Sequence, residues 1–535
     1  MFTLAILIGL YSYFIFILGL LGLLHKSYIF VLTLFFVSII VYFSRIYLKA
    51  GFTKILKTLS VVKGVEAFVL GIIIVQILVN LIAVLGPELS FDALWYHLTI
   101  PRLYLLSHKI FYISGNLLYY SAMPKLTELL YIPVLALGGE TLAKLLHFSF
   151  GVLSLFALYK ISRKFFSLKI SLVVSLIFYT NLIVAWESGA AYIDLARTFF
   201  EIMAFWAFLN YAESKQKKWL IESAVILGLA ISTKLLAIGS LFIFTGLILF
   251  SYSSKNKIKL VITNILVYWL LALTIVFPWF ILSFVNTDNP VFPFFTELYK
   301  SDLSWNLINP LNFISEIWGI FMRSADPISP LYLVFLPFSI LFLKKMPKFF
   351  IYVYMYSIFS IFVWYITPRT GGGRFILPYL PVLSLLVGFV IYSLQKQVKL
   401  SNFPFVLVII VALITVFYRG LANSKFIPVV LGRETKDQFL SKNLNFAYGD
   451  FYDTDGYFKK TINDKDRVLL YGFHNLYYVN FPFIDSSWVK TGDNFNYIAV
   501  QNGDVPERFS YWNLIYYNTK TKVKVYSAGG QMWIY

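Results

Sequence analysis

Asp92 follows directly on an apolar run long enough to cross a bilayer, inside the stretch Gly86 to Pro101. A carboxylate at a membrane edge, among aromatic rings and a histidine, is costly to place and useful once placed. It can take a proton from a hydroxyl while a lipid-borne substrate waits in the adjacent leaflet. Aspartate also caps helices routinely, and Asp92 opens a helix-like run from Ala93 to Tyr104, so capping is the competing role. Tyr96 falls on the same helical face as Asp92, and His97 follows it. Glu88 precedes the helix and reads either as a second site acid or as a surface charge.

Three further positions carry charge where spans end. Asp194 lies where one span turns back into the next, with Arg197 at i+3 as an expected neutraliser. Lys234, in Ile231 to Lys234, sits on the side where short loops otherwise avoid lysine. A cation stranded there calls for a carboxylate or an anionic ligand, unless it snorkels to water. Arg369 and Arg374 flank three consecutive glycines. Glycines let backbone N–H groups approach an oxyanion, and the arginine fork matches phosphate. His97 and His147 lack the spacing of a metal pair and read as hydrogen-bonded structural histidines. No cofactor is expected, and a metal requirement is not readable from the chain.

The elements that position these groups are membrane spans. Of 535 residues, 59% are hydrophobic and only 13% charged, far from the balance of a soluble domain. Apolar runs place spans near 3–24, 28–48, 67–85, 142–160, 170–186, 192–211, 219–233, 235–252, 260–284, 329–343, 349–366, 375–394 and 402–419. The fold class is therefore an all-α multi-pass membrane protein of about thirteen spans, with 219–233 and 329–343 the shortest. The first run, Met1 to Leu24, is too long for a signal-peptide core and reads as a retained span. With no cysteine, disulfides and thiolate chemistry are excluded.

A net charge of +19 would suggest nucleic acid in a soluble chain. Here the cations crowd the short loops at 45–63, 160–169, 215–218, 255–259, 344–348 and 396–399, the pattern of cytoplasmic loops. No nucleic-acid partner follows. The acids, Glu88, Asp92, Glu128, Glu140, Glu187, Asp194, Asp288, Glu297, Asp302, Glu316 and Asp326 among them, fall at the other ends of the spans. The chemistry-capable loops and the region after 420 thus share one extracytoplasmic face of a cell-membrane protein.

The chain divides into 1–66, two additional spans and a basic loop; 67–419, the main bundle with outer loops 86–140 and 285–328; and 420–535, a soluble region. Loop 86–140 holds two amphipathic pieces, about 91–108 and 125–138, expected to lie in the interface. In the tail, a helix near 433–446 precedes β-like runs at 467–472, 497–500 and 522–526, which indicates a small α/β domain.

Taken in order, Phe91 to His97, Met123 to Glu128, Ala191 to Asp194, Ser232 to Lys234, Asn289 to Pro293 and Gly373 to Pro378 resemble bacterial and archaeal membrane glycosyltransferases. Their relatives are the protein O-mannosyltransferases and the aminoarabinose transferases of lipid A. The resemblance covers about 65–400 and rests on the ordered set. It implies a GT-C fold, a sugar donor on a polyprenyl phosphate, an acceptor hydroxyl on a lipid, glycan or protein, and a catalytic base at Asp92. Lys234, Arg374, Arg369, Asp194, Tyr96, His97 and Glu88 would then bind substrate. The protein mannosyltransferases carry an Asp-Glu pair where this chain has Asp92 and Ala93, which argues against protein mannosylation. The alternatives are a transporter or flippase of lipid-linked sugars, whose folds commonly show repeats and broken midplane helices, and a non-catalytic carrier binder.

Overall fold

Among the described residues of the computed structural model, seven helices are long and apolar enough to cross a membrane. Residues 1–252, 258–299, 309–324, 326–367, 372–397, 402–529 and 531–535 are described, without the side chains of 44–61. Helices α1 (Phe2–Leu20), α2 (Lys26–Val61) and α3 (Val65–Leu85) lead through the short α4 (Thr99–Ser107) into α5 (Leu126–Ser162). Next come α6 (Leu168–Tyr179), α7 (Leu182–Glu187), α8 (Asp194–Ser214), α9 (Lys217–Thr233), α10 (Ser240–Phe250) and α11 (Ile258–Thr287). The bundle closes with α12 (Pro310–Met322), α13 (Pro330–Phe335), α14 (Ile351–Ile366), α15 (Leu380–Gln397) and α16 (Phe403–Ser424).

Helix α8 is buried on every side from Asp194 to Phe205, charged residues included, and packs against α5 and α9. The last long span before α16, Leu377–Lys396, is 89% buried, whereas the α11 window is 22% and that of α2 11% buried. Central helices carry the buried polar groups; peripheral ones present apolar faces to lipid.

Local chemistry breaks several expected spans. The run 170–186 divides at Thr180, where Asn181 starts α7 by accepting the Ile183 N–H. The segment 329–343 holds α13 and then a 3-10 stretch, Leu336–Lys345, because Pro337 has no N–H to give to an α-helical ladder. Helix α5 contains a kink at Gly139 (φ 70°, ψ −158°). Its first part was expected as an interfacial amphipathic piece, yet Leu126 to Pro133 are all buried, so protein and not the headgroup layer surrounds it.

The tail carries a mixed sheet. Strands β1 (Val468–Tyr471), β2 (Phe483–Asp485), β3 (Asn494–Phe495), β4 (Tyr497–Gln501), β5 (Asn513–Asn518), β6 (Val523–Ser527) and β7 (Trp533–Ile534) form one sheet of order β2-β1-β4-β6-β5 and a separate β3-β7 pair. The β1 strand is parallel to both neighbours, and its inward Val468, Leu469 and Leu470 are fully buried. The expected helix near 433–446 is the shorter Lys436–Asn443, started by a capping box of Thr435 and Gln438.

Candidate active site

The Asp92 turn is pinned before it begins. Helix α3 ends at Gly86, and the buried Lys144 of α5 donates to the carbonyls of Ala83 (2.6 Å), Gly86 (3.0 Å) and Pro87 (3.2 Å). A cation on those orphan carbonyls satisfies them and complements the helix dipole. Glu88 is buried, which removes the surface-charge alternative. Its Oε1 accepts the N–H groups of Leu89 and Ser90, and its Oε2 accepts that of Ala191 at 2.7 Å. Glu88 therefore ties the Asp92 loop to the turn before α8 and offers no free face to a substrate.

After Asp92 the chain widens into a π-turn, Ala93–His97, closed by Leu98 N–H donating to Ala93 O. Asp92 makes no side-chain capping bond there, so the capping role falls away. Its Oδ2 receives the Arg374 guanidinium at 2.5 Å and the Tyr96 hydroxyl at 3.4 Å. Burial raises the Tyr96 hydroxyl well above its ordinary range, and the Asp92 charge adds to that, so Tyr96 stays a donor.

Arg374 is set by a carboxylate the sequence reading left among the loop acids. Asp326 accepts the Arg374 N–H on Oδ2 (3.0 Å) and the Gly373 N–H on its backbone oxygen (3.1 Å). A Cβ on Gly372 or Gly373 would stand 2.3 Å from Asp326, and Gly372 has φ +88°. The glycines thus admit Asp326, where the sequence suggested an incoming oxyanion. Burial works against the Arg374 charge, but Asp92 and Asp194 outweigh it and hold the guanidinium firmly protonated. Arg369 lies outside the described residues.

Lys234 occupies the one-residue break between α9 and the 3-10 turn Leu235–Gly239. Its Nζ donates to Asp194 Oδ1 at 2.5 Å and lies 5.1 Å over the Phe375 ring. Arg374 lies 5.7 Å over the same ring and 5.2 Å over Tyr192. Two acid–cation pairs, Asp92–Arg374 and Asp194–Lys234, therefore flank one phenyl ring. The expected Asp194–Arg197 pair is not formed: Arg197 donates to Tyr379 (2.9 Å) and sits 3.6 Å from Glu201. Asp194 Oδ2 is buried without a hydrogen bond. A cleft next to Phe375 is lined by Arg197, Leu236, Trp364, Thr367 and Tyr379.

His97 turns away from this cluster, buried and 3.0 Å from Glu128 Oε1, so it locks the π-turn to the start of α5. That histidine–acid contact bridges Phe91 to His97 and Met123 to Glu128, two stretches singled out in the sequence without the link between them. His147 accepts the Leu195 N–H on Nε2 while Nδ1 meets the carbonyls of Glu187 and Ala190, a structural histidine as expected. Lys125 is buried against the carbonyls of Ser121 (2.5 Å) and Met123 (2.6 Å), and burial pushes its ammonium down to about 7. Among the described residues no three His, Asp or Glu side chains converge as metal ligands would.

The arrangement can be set beside known proteins. A family model for dolichyl-phosphate-mannose-protein mannosyltransferases matches residues 133–282. ArnT from Cupriavidus metallidurans, in the apo state, superposes with a TM-score of 0.57 at 14% identity, covering 86% of this chain and 98% of ArnT. The chain has the GT-C fold of membrane glycosyltransferases. The same ArnT bound to undecaprenyl phosphate matches at a TM-score of 0.52 and 14% identity, over 87% of this chain and 98% of ArnT. No curated protein sequence matches the chain.

Proposed function

We propose that the protein transfers a sugar, hexosyl or pentosyl, from a polyprenyl-phosphate carrier to a hydroxyl of a lipid, glycan or protein acceptor on the extracytoplasmic face of the cell membrane. The observation that carries this reading is the Asp92–Arg374 pair, a base and a phosphate-matching cation joined at the loop-rich end of the bundle. The GT-C fold and the mannosyltransferase family match support it.

In the resting arrangement Arg374 is parked on Asp92. A donor phosphate competes for the guanidinium, with Lys234 as a second cation, and Asp92 is released as a base. The acceptor oxygen then attacks the anomeric carbon, its proton passes to Asp92, and the carbon–oxygen bond to phosphate breaks. The electron pair leaves on polyprenyl phosphate, whose charge Arg374 and Lys234 hold. Tyr96 keeps the Asp92 carboxylate oriented throughout. Asp194 holds Lys234, and Glu88 and His97 hold the backbone of the turn.

Thirteen crossings follow if α6 with α7, and α13 with its 3-10 extension, each span once. The short basic loops then face the cytoplasm and residues 420–535 face outward. Cysteine labelling at Lys217 and Asn445 tests this directly in a chain with no cysteine of its own. Labelling of both positions from one side overturns the topology. For the activity, purified protein is given labelled polyprenyl-phosphate sugars and an envelope extract; absence of transfer with every donor overturns the reading.

A further inference from the structure

His474 lies in the C-terminal region, far from the bundle in sequence, yet it is held as tightly as any site residue. Its ring stacks on Phe91, the residue before Asp92, with centroids 4.7 Å apart and planes 26° apart. It also lies 4.4 Å from the Trp95 ring within the π-turn. The backbone is fixed too. The N–H groups of His474 and Asn475 both donate to Gly449 O, at 3.1 and 3.0 Å. Gly449 can come so close because it has no Cβ; one would stand 2.6 Å from the His474 Cβ.

A hydrogen-bond chain sets the imidazole tautomer. Asn475 Nδ2 donates to Asp450 Oδ1 at 2.5 Å, and Asp450 Oδ2 is occupied by the Asn445 N–H. The amide orientation is thereby decided, so Asn475 Oδ1 is the acceptor toward His474 Nδ1, at 3.1 Å. In the neutral ring Nδ1 then carries the proton and Nε2 presents a lone pair. Among the described residues Nε2 has no hydrogen-bond partner, and the side chain is half-buried.

The neighbouring backbone is clamped by the same segment. Tyr477 N–H donates to Leu94 O (3.3 Å), Arg102 donates to Tyr477 O (3.0 Å), and the Tyr478 hydroxyl donates to Glu88 O (2.9 Å). Three segments thus orient one imidazole, with its acceptor nitrogen free, next to the proposed base. His147 shows the contrast: both of its ring nitrogens are engaged with protein, Nδ1 at the carbonyls of Glu187 and Ala190 and Nε2 at the Leu195 N–H.

We propose that His474 belongs to the acceptor half of the site, its Nε2 taking a hydrogen bond from a hydroxyl of a polyhydroxylated acceptor, so that the C-terminal region forms one wall of the acceptor cleft. This rests on the transferase reading above. The donor arrives through lipid, and the acceptor meets it from the side that residues 473–478 cover.

The test uses full-length protein, a labelled polyprenyl-phosphate sugar and an envelope lipid and glycan extract titrated as acceptor. His474→Phe keeps a flat ring against Phe91 and Trp95 but removes Nε2. It should raise the extract concentration needed for half-maximal rate by about tenfold or more, with donor half-saturation and melting temperature unchanged. His474→Gln, which restores an acceptor atom, should recover part of the loss. Wild-type dependence on extract in His474→Phe overturns the proposal and leaves the transferase reading standing. Donor and acceptor half-saturation rising together in His474→Phe also overturns it. An inactive wild-type protein overturns both.

Discussion

The two acid–cation pairs around Phe375 use the same chemistry on different supports. Asp92 stands at the head of the π-turn and Arg374 in the 3-10 turn Gly373–Phe375, with side chains 15% and 18% exposed. Asp194 begins a helix buried on all sides and is 1% exposed, while its partner Lys234 is 16% exposed. A carboxylate that must trade a cation for a substrate proton needs access and some freedom. A carboxylate that must keep a lysine in place needs neither. Support and exposure, more than residue type, separate the proposed base from the proposed anchor.

The sharpest way to break that distinction is to neutralise each acid. Asp92→Asn keeps the shape but cannot take a proton at neutral pH, so turnover should fall by about two to four orders of magnitude with donor binding largely kept. Asp194→Asn should instead weaken donor binding by freeing Lys234. Equal losses of turnover in both, at unchanged donor affinity, would erase the comparison.

Replacing the cations gives the next largest effect. Arg374→Ala and Lys234→Ala should each weaken binding of a polyprenyl-phosphate sugar by about tenfold or more, and Arg374→Lys should restore only part because the planar fork is lost. Unchanged binding in both alanine variants leaves the pairs structural.

Glu88→Gln sharpens the contrast between chemistry and scaffolding. Its amide nitrogen cannot accept the Ala191 N–H, and a buried donor left unmade costs on the order of 1–3 kcal/mol. Melting temperature should drop and turnover fall less than in Asp92→Asn. If Glu88→Gln abolishes turnover without loss of stability while Asp92→Asn stays active, the two acids exchange roles.

The smallest effect on turnover is expected in the C-terminal sheet. Burial pushes the Asp485 carboxyl up to about 6, against weaker help from the Ser487 N–H. An acid with a raised folded pKa stabilises fully below its unfolded value, and that contribution is lost as pH rises through about 6. Asp485→Asn should therefore raise stability at pH 7.5 by on the order of 2–3 kcal/mol, with the gain vanishing toward pH 4. A gain of equal size at both pH values would refute the cause given.

The membrane class, the position of Asp92 just past a long apolar helix, and the place of Lys234 at the end of one were legible in the sequence, because hydropathy and charge placement act locally. The pairings were not. Arg374 reaches Asp92 across 282 positions and Lys234 reaches Asp194 across 40, so each acid's partner is a property of the packed bundle. Arg197, one helical turn from Asp194, looked like the nearer partner, but Tyr379 and Glu201 take it. Asp326 was seen only as one of many loop acids; three glycines in a row were the signal that something packs close. The strands β2, β3, β5 and β7 escaped because they are two to six residues long and, like Asn513–Asn518, lack clear alternation, so that pairing with a neighbour makes them strands.

The π-turn after Asp92 has a consequence for how this loop can change in length. A turn closed between residues five apart holds one residue more than an α-helical turn. Deleting any one of Ala93 to His97 would let a regular helix run on into α4, a locally favourable repair. The wide turn takes up its extra residue over about the rotation of an α-turn, so the flanks would keep their orientation, but Tyr96 would lose its place against Asp92 and His97 its place against Glu128. Loops exchanged between proteins of this fold must therefore preserve the extra residue, even where a gap-free helical alignment looks better.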